Sequence, residues 1–294
     1  MLSVLIPSYN DEKNLPVALA SALQVKSVSE IIVVDDNSSD NTQKLIEDFS
    51  SERSRIKYFK NKKNIGSGMS FIKAFKKSNN SFVVMLNSDD FFIPQAIDEL
   101  FEYLMKNDLD VAYGRMAIKK NSEIYKFNHL GYKTNSYIDN RDEFKDLLIF
   151  DMYMPSFGTI IKKKSINSFY NEIYYKNLQK SYGGYFKAHD YDLFINLAKQ
   201  KKKFGFLNKT VCVWCPKERS QSGLSYFESG EASYESAFLF NRYSENEKFD
   251  NLSLNLIRKR IDAKLKHKCK KDFFKNKFSH HYDIFLQNIN ELKT

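Results

Sequence analysis

The sequence has no run of about eighteen apolar residues, the length that suits a membrane-spanning helix. Its first residues pass straight into LSVLIPSYN, without the basic segment and cleavage site of a secretory leader, so the chain is expected to stay in the cytoplasm. Cysteine is scarce: Cys212, Cys215 and Cys269 are too few for a disulfide framework, and no second ligand pair stands at zinc-binding spacing. CVWC has the spacing of a redox pair. It lies in an apolar, strand-like run rather than at a helix start, where thiolates are stabilised, so the cysteines read as buried free thiols. Internal repeats and low-complexity linkers are also missing.

What is present suits a globular chain. Of 294 residues, 42% are hydrophobic and 15% aromatic, which excludes disorder and allows one main core plus an appendage. The formal charge of +10 points to solubility or to an anionic partner. Much of it sits in RKRIDAKLKHKCKKDFFKNK, Arg258 to Lys277, which reads either as the solvated face of a packed helix or as a surface for anionic lipid. No nucleic-acid-binding signature accompanies it, so nucleic acid is not an expected partner. The adjacent His280 and His281 read as solvated residues of a polar tail.

Hydrophobic spacing organises the first half. Leu2 to Ile6 reads as a buried strand, and Leu15, Ala18, Leu19, Ala22 and Leu23 recur at helical spacing. The pattern repeats: strand Ile31 to Val34, polar loop and helix, then a strand near Tyr58 to Lys60, a helix over Met69 to Lys77 and a strand over Phe82 to Leu86. A helix over Pro94 to Lys106 and a strand in LDVAYGRMAI follow. Strands alternating with helices at this pace predict an α/β fold with a mostly parallel sheet covered on both faces. Beyond Lys119 the alternation fades, with a helix expected at Glu143 to Phe150, another starting near His189 or Asp190, and a helical C-terminal region carrying Leu254, Ile257, Ile261 and Leu265 on one stripe.

In open parallel sheets the ligand sits beyond the carboxyl ends of the strands. Three polar groups fall there: PSYN, Asp35 with Asp36, and Asp89 with Asp90. Two adjacent carboxylates ending a buried strand repel each other and are costly to desolvate. Either they cap the turn before Pro94, or they hold a divalent cation.

The pieces VLIPSYNDEKNLPVALASAL, IIVVDDNSSDNT, NIGSGMSFIKAF, FVVMLNSDDFF, PSFGTIIKKKSI and HDYDLFINLAKQKKKFGFL resemble, in that order, the family 2 glycosyltransferases. The likeness covers about residues 1 to 215. It implies a GT-A fold and inverting transfer of a sugar from a nucleoside diphosphate donor, with a UDP-sugar favoured, to a hydroxyl of a glycan or lipid-linked glycan. Composition and family together suggest a bacterial enzyme of surface polysaccharide synthesis, peripheral on the inner face of the cytoplasmic membrane.

By this resemblance Asp90 is the metal ligand, for Mn²⁺ or Mg²⁺, and Asp89 assists it or contacts the donor sugar. Asn87 stands where the family often has a third aspartate. Asp36 matches the base-reading aspartate, with a turn acid before Asn37 and Ser38 as the alternative. Pro7, Tyr9 and Asn10 match the nucleoside pocket, and Gly66 belongs to the donor-side loop. Asp190 takes the general-base position, a role compatible with capping its helix, and His189 stands where glutamate is more usual. The acceptor is expected around Phe157, Gly158 and His189. No histidine follows TVCVW, so Lys217 or Arg219 would bind the diphosphate by charge.

The domain expectation is a transferase domain over 1–225, divided into a nucleotide-sugar half (1–115) and an acceptor half (116–225), and a basic helical region over 226–294 through which copies of the chain could associate. A sugar nucleotidyltransferase would need a glycine-rich loop after the first strand, and IPSYNDEKNLP has no glycine. The rival from another class is a GT-A scaffold that has lost turnover and binds membrane through its basic helices.

Overall fold

The computed structural model describes residues 1–52, 55–129, 131–138, 142–166, 169–217, 224–265 and 272–292. Arg219 and Cys269 fall outside them. In chain order the elements are β1 (Leu2–Ser8), α1 (Leu15–Gln24), β2 (Val28–Asp35), α2 (Thr42–Glu52), β3 (Ile56–Lys60), α3 (Ser67–Lys77) and β4 (Phe82–Met85). Then come β5 (Phe91–Phe92), α4 (Pro94–Lys106), β6 (Val111–Lys120), β7 (Glu123–Lys126), β8 (Tyr137–Ile138), α5 (Glu143–Phe150) and β9 (Ile160–Lys162). The chain continues with α6 (Glu172–Tyr182), α7 (His189–Lys199), β10 (Phe204–Trp214), α8 (Leu224–Glu228), α9 (Glu231–Tyr243), α10 (Asn251–Leu265) and α11 (Asp272–Glu291).

These elements form two compact units. The first comprises Met1–Asn140, Met154–Tyr175 and Gln200–Cys215, and the second Arg141–Tyr153, Lys176–Lys199 and Pro216–Thr294.

The first unit holds a sheet in the order β3-β2-β1-β4-β9-β6-β10-β5, with β7 on β6 and β8 on β10. Strands β1 and β2 are buried over nearly their whole length, as apolar runs covered on both faces should be. Leu15, Ala18, Leu19 and Ala22 bury the inner face of α1 in the core that also contains Val4, Ile6, Val33 and Val84. Strand β1 runs parallel to β2 and β4, and β6 runs parallel to β10. Strand β9 lies between the two groups, antiparallel to both β4 and β6. Two reversals restore the direction, so β1, β2, β4, β6 and β10 all end at one edge.

The sequence pattern gives no hint of the antiparallel insertion, because IIK is too short to carry a direction signal. Helix α6, which its alternating Tyr, Lys and Asn residues conceal, also escapes it. Cys212 is fully buried in β10, where burial pushes its thiol well above the ordinary value, in keeping with an inert side chain.

In the second unit, α9 is buried along most of its length, and Leu254, Ile257 and Ile261 bury one face of α10 as the periodicity predicts. Arg260 closes the end of α5 by donating Nη2 to the Leu148 carbonyl at 2.9 Å and pairing with Asp151 at the same distance. His281 corrects the solvated reading: it is buried, stacks on Tyr182 and meets the Tyr182 carbonyl through Nε2 at 2.8 Å, while burial holds its imidazole below the ordinary value. Among the described residues no helix is long and apolar enough to cross a membrane.

Candidate active site

The carboxyl edge of the first unit's sheet is built by interlocked loops. Asn10, at the exit of β1, adopts φ 50°, and Asn37, after β2, φ 66°, left-handed conformations that asparagine tolerates. Asn10 donates its N–H to Ser38 Oγ at 2.9 Å, and Asn10 Oδ1 accepts the Ser39 N–H at 2.8 Å. Asp35, fully buried, accepts the Ser38 N–H and hydroxyl and the Tyr58 hydroxyl. That arrangement leaves the Tyr9 ring 51% exposed beside a fixed backbone, with Pro7 half-buried before it.

Asp36 organises the next loop. Its Oδ1 accepts Asn61 Nδ2 and the Ile65 N–H, each at 2.8 Å, and its Oδ2 accepts the Gly66 N–H at 2.7 Å. Gly66 lies at φ 87°, ψ 158°, a region open essentially to glycine alone. The role of Asp36 in the turn at Asn37 is therefore minor beside its grip on the segment from Asn61 to Gly66. Asn61, which also bonds Ser70 Oγ and accepts Lys73 Nζ, completes the network. Nothing in the pattern KNKKNIG distinguishes Asn61 from its exposed neighbours, and sequence reasoning misses it.

Asp90 follows β4 and is 2% exposed. Its Oδ2 accepts Asn87 Nδ2 at 2.8 Å and its Oδ1 accepts the Cys215 N–H at 2.8 Å, from the residue that follows β10. Asn87 thus presents its amide to the Asp90 carboxylate. Asp89 is half-buried beside it.

Among the described residues no cluster of three His, Cys, Asp or Glu side chains gathers for a metal. The two adjacent carboxylates nevertheless fit a hard divalent ion, which commonly takes one or two carboxylates and completes its shell with substrate phosphate and water.

Phe157 and Gly158 lie where β9 begins, on the same edge. The Phe157 ring is buried in the core, and Gly158, at φ +100°, would place a Cβ only 3.1 Å from Cys212 Sγ.

Asp190, His189 and Lys217 belong to the second unit. Asp190 is the second residue of α7 rather than its cap: Asp192 N–H reaches the Ala188 carbonyl at 3.1 Å, and Asp190 Oδ1 accepts the Tyr191 N–H at 2.8 Å. A carboxylate in a helix's first turn is stabilised as the anion. His189 is buried, which holds its imidazole below the ordinary value and therefore neutral near pH 7.

Comparison with known proteins gives this arrangement a family. A curated relative, the Escherichia coli UDP-Glc:alpha-D-GlcNAc-diphosphoundecaprenol beta-1,3-glucosyltransferase WfgD, is 33% identical over 125 residues, 42% of this chain and 49% of its own length. The Campylobacter jejuni GalNAc(5)-diNAcBac-PP-undecaprenol beta-1,3-glucosyltransferase is 29% identical over 206 residues, 68% of this chain and 60% of its own. The chain thus spans about half the length of these relatives. The crystal structure of S. aureus TarS 1-349 in complex with UDP-GlcNAc superposes with a TM-score of 0.69 at 17% identity, covering 99% of this chain and 83% of that one, and establishes a shared fold. The model of glycosyl transferase family 2 matches residues 3–169, more than half of the sequence, and the chain belongs to that family.

Proposed function

We propose that this chain transfers a sugar from a UDP-sugar to a hydroxyl of a lipid-linked or other glycan acceptor, with inversion at the anomeric carbon, in the synthesis of a bacterial surface polysaccharide. The observation that carries the reading is the carboxyl edge of the sheet, where Asp36 fixes the Gly66 loop and Asp90 is aimed by two donors. The relative with UDP-Glc in its name supports the donor class, and the two named for diphosphoundecaprenol- and PP-undecaprenol-linked sugars support the acceptor class.

In this reading the exposed Tyr9 ring stacks on the uracil, with Pro7 and Asn10 shaping the pocket beside it. Asp36 acts through the loop it anchors and through the carboxylate lone pair its three N–H donors leave over. Asp90 with Asp89 would hold Mn²⁺ or Mg²⁺, which when bound offsets charge on the departing diphosphate. Lys217 adds positive charge for the same group, a role shared with Arg219, and His189 contributes to acceptor binding. Asp190 takes the proton from the acceptor hydroxyl as that oxygen attacks the anomeric carbon. The bond from that carbon to the diphosphate oxygen breaks, and UDP leaves on the opposite face.

Calorimetric titration with UDP, GDP and CMP, each with Mn²⁺ and with EDTA, tests the donor assignment. Binding of UDP that requires Mn²⁺ is expected. Absence of binding by all three nucleotides would overturn it and put the non-catalytic scaffold in its place.

A further inference from the structure

The Asp190 side chain follows a short segment, Lys187 and Ala188, that another helix of the same unit holds through both backbone and side chain. Glu235 of α9 is fully buried, and its Oε1 accepts the Lys187 N–H at 2.8 Å while its Oε2 accepts the Ala188 N–H at 3.0 Å. The Tyr226 hydroxyl, from α8, donates to the same Oε2 at 2.6 Å. One turn earlier on α9, Glu231 pairs with Lys187 Nζ at 2.7 Å, and that ammonium lies over the Tyr226 ring, 5.3 Å from its centre.

The Ala188 N–H is among the donors that the start of α7 leaves without an intrahelical partner, and the Lys187 N–H lies one residue before it. Side chains close in sequence usually satisfy donors at a helix start. Here a glutamate some 48 residues further along the chain does so, although a buried carboxyl is costly. Burial pushes Glu235 up to about 8, with the Lys187 and Ala188 N–H groups and the Tyr226 hydroxyl pulling the other way. In either protonation state at least one oxygen remains an acceptor.

A purely stabilising role would be served as well by an apolar side chain against a locally capped helix. We infer that Glu235 is a positioning residue: it clamps the Lys187–Ala188 backbone so that Asp190, two residues on, meets the acceptor hydroxyl in a fixed orientation. The inference rests on Asp190 being the base. Glu231 supports the clamp through the Lys187 side chain, and Tyr226 orients the Glu235 carboxyl. Sequence reasoning misses the pair because EASYESAF shows two acids at i, i+4 among small residues, the pattern of an exposed helix face.

The test uses the full chain with Mn²⁺ and measures UDP release from UDP-glucose and from UDP-GlcNAc with water as the acceptor, the free sugar being the other product, together with UDP affinity by calorimetry and amide hydrogen exchange. Glu235→Met keeps side-chain bulk and removes both acceptors. Its kcat is expected to fall roughly 10- to 100-fold, the scale of an ångström-level misplacement, with UDP affinity unchanged. Exchange of the Lys187 and Ala188 amides should quicken while that of α10 does not. Glu235→Gln, which keeps one acceptor oxygen, should recover part of the rate, and Glu235→Met should add nothing to Asp190→Asn.

Should Glu235→Met fail to fold, Tyr226→Phe removes one donor to the same carboxyl, and a several-fold lower kcat at unchanged UDP affinity is expected. Wild-type kcat, or unchanged exchange at Lys187 and Ala188, would overturn the clamp. Wild-type turnover by Asp190→Asn would instead overturn the base assignment, a separate failure that exchange at Lys187 and Ala188 does not share.

Discussion

Cys215 donates its backbone N–H to Asp90 Oδ1 at 2.8 Å, joining the residue after β10 to the turn after β4 across 125 positions of sequence. With Asn87 holding the other oxygen, the Asp90 carboxylate is oriented by two donors from different segments. Orientation set before a ligand arrives is what the proposed metal-holding role of Asp90 would require, since none has to be imposed during binding.

Asp90→Ala should therefore lose more than one ligand's share of binding. The Cys215 N–H and Asn87 amide lose their acceptor, at a cost of about 1–3 kcal/mol. Transfer should fall by about 10²–10³-fold, as when a group that stabilises transition-state charge is removed. Calorimetry with UDP and Mn²⁺ should show that the enhancement by metal is gone, and retention of Mn²⁺-dependent affinity would refute the assignment.

Gly66→Ala isolates the contribution of the Asp36-anchored loop without touching a charge. The backbone at φ 87°, ψ 158° costs a non-glycine residue about 1–3 kcal/mol. The Gly66 N–H would leave the Asp36 carboxylate, and UDP affinity should weaken about tenfold while Mn²⁺ dependence persists. Equal UDP affinity in wild type and variant would show that this loop takes no part in the donor site.

The parallel core was legible because Val4–Ile6, Ile31–Val34 and Val83–Met85 are apolar on both faces, and both-face burial writes itself as a hydrophobic run. The acids at the sheet edge were legible for the complementary reason: a charge at the end of such a run has no packing purpose. What escaped depends on partners distant in sequence. Asp36 is marked by the family resemblance as the base-reading aspartate, but its hold on the Ile65 and Gly66 N–H groups, 29 and 30 residues away, has no trace in the sequence. Glu235 carries no sequence signal of its bonds to the Lys187 and Ala188 N–H groups, 48 and 47 residues away. Strand β9 carries three residues, too few for periodicity to reveal that it runs against its neighbours.

Asp190→Asn keeps the side chain's volume and its capacity to accept the Tyr191 N–H, so the fold of α7 should be unaffected. Loss of the base should lower kcat by about 10²–10⁴-fold with UDP affinity unchanged. Near-normal transfer by this variant would end the assignment, because an amide cannot take the proton.

Glu30 offers a pH signature at the other end of the strands. Burial by itself would raise its pKa, but Lys57 Nζ at 2.7 Å, Ser3 Oγ at 2.6 Å and the Asn79 N–H at 2.5 Å all donate to it and bring it from 4.5 down to about 2. A carboxylate with a depressed folded-state pKa stabilises the protein above its unfolded value, and that stability drains away as pH falls through the folded value. Unfolding measured by urea at a series of pH values should therefore show a loss on the order of 1–2 kcal/mol between about pH 4.5 and pH 2 attributable to Glu30. Glu30→Gln should flatten that segment of the curve and lower stability at pH 7. Since Ser3, Glu30 and Lys57 lie near the amino ends of β1, β2 and β3, away from the carboxyl edge, UDP affinity at pH 7 should be the same in the variant. A variant whose stability kept the wild-type acid slope would show that other carboxylates set it.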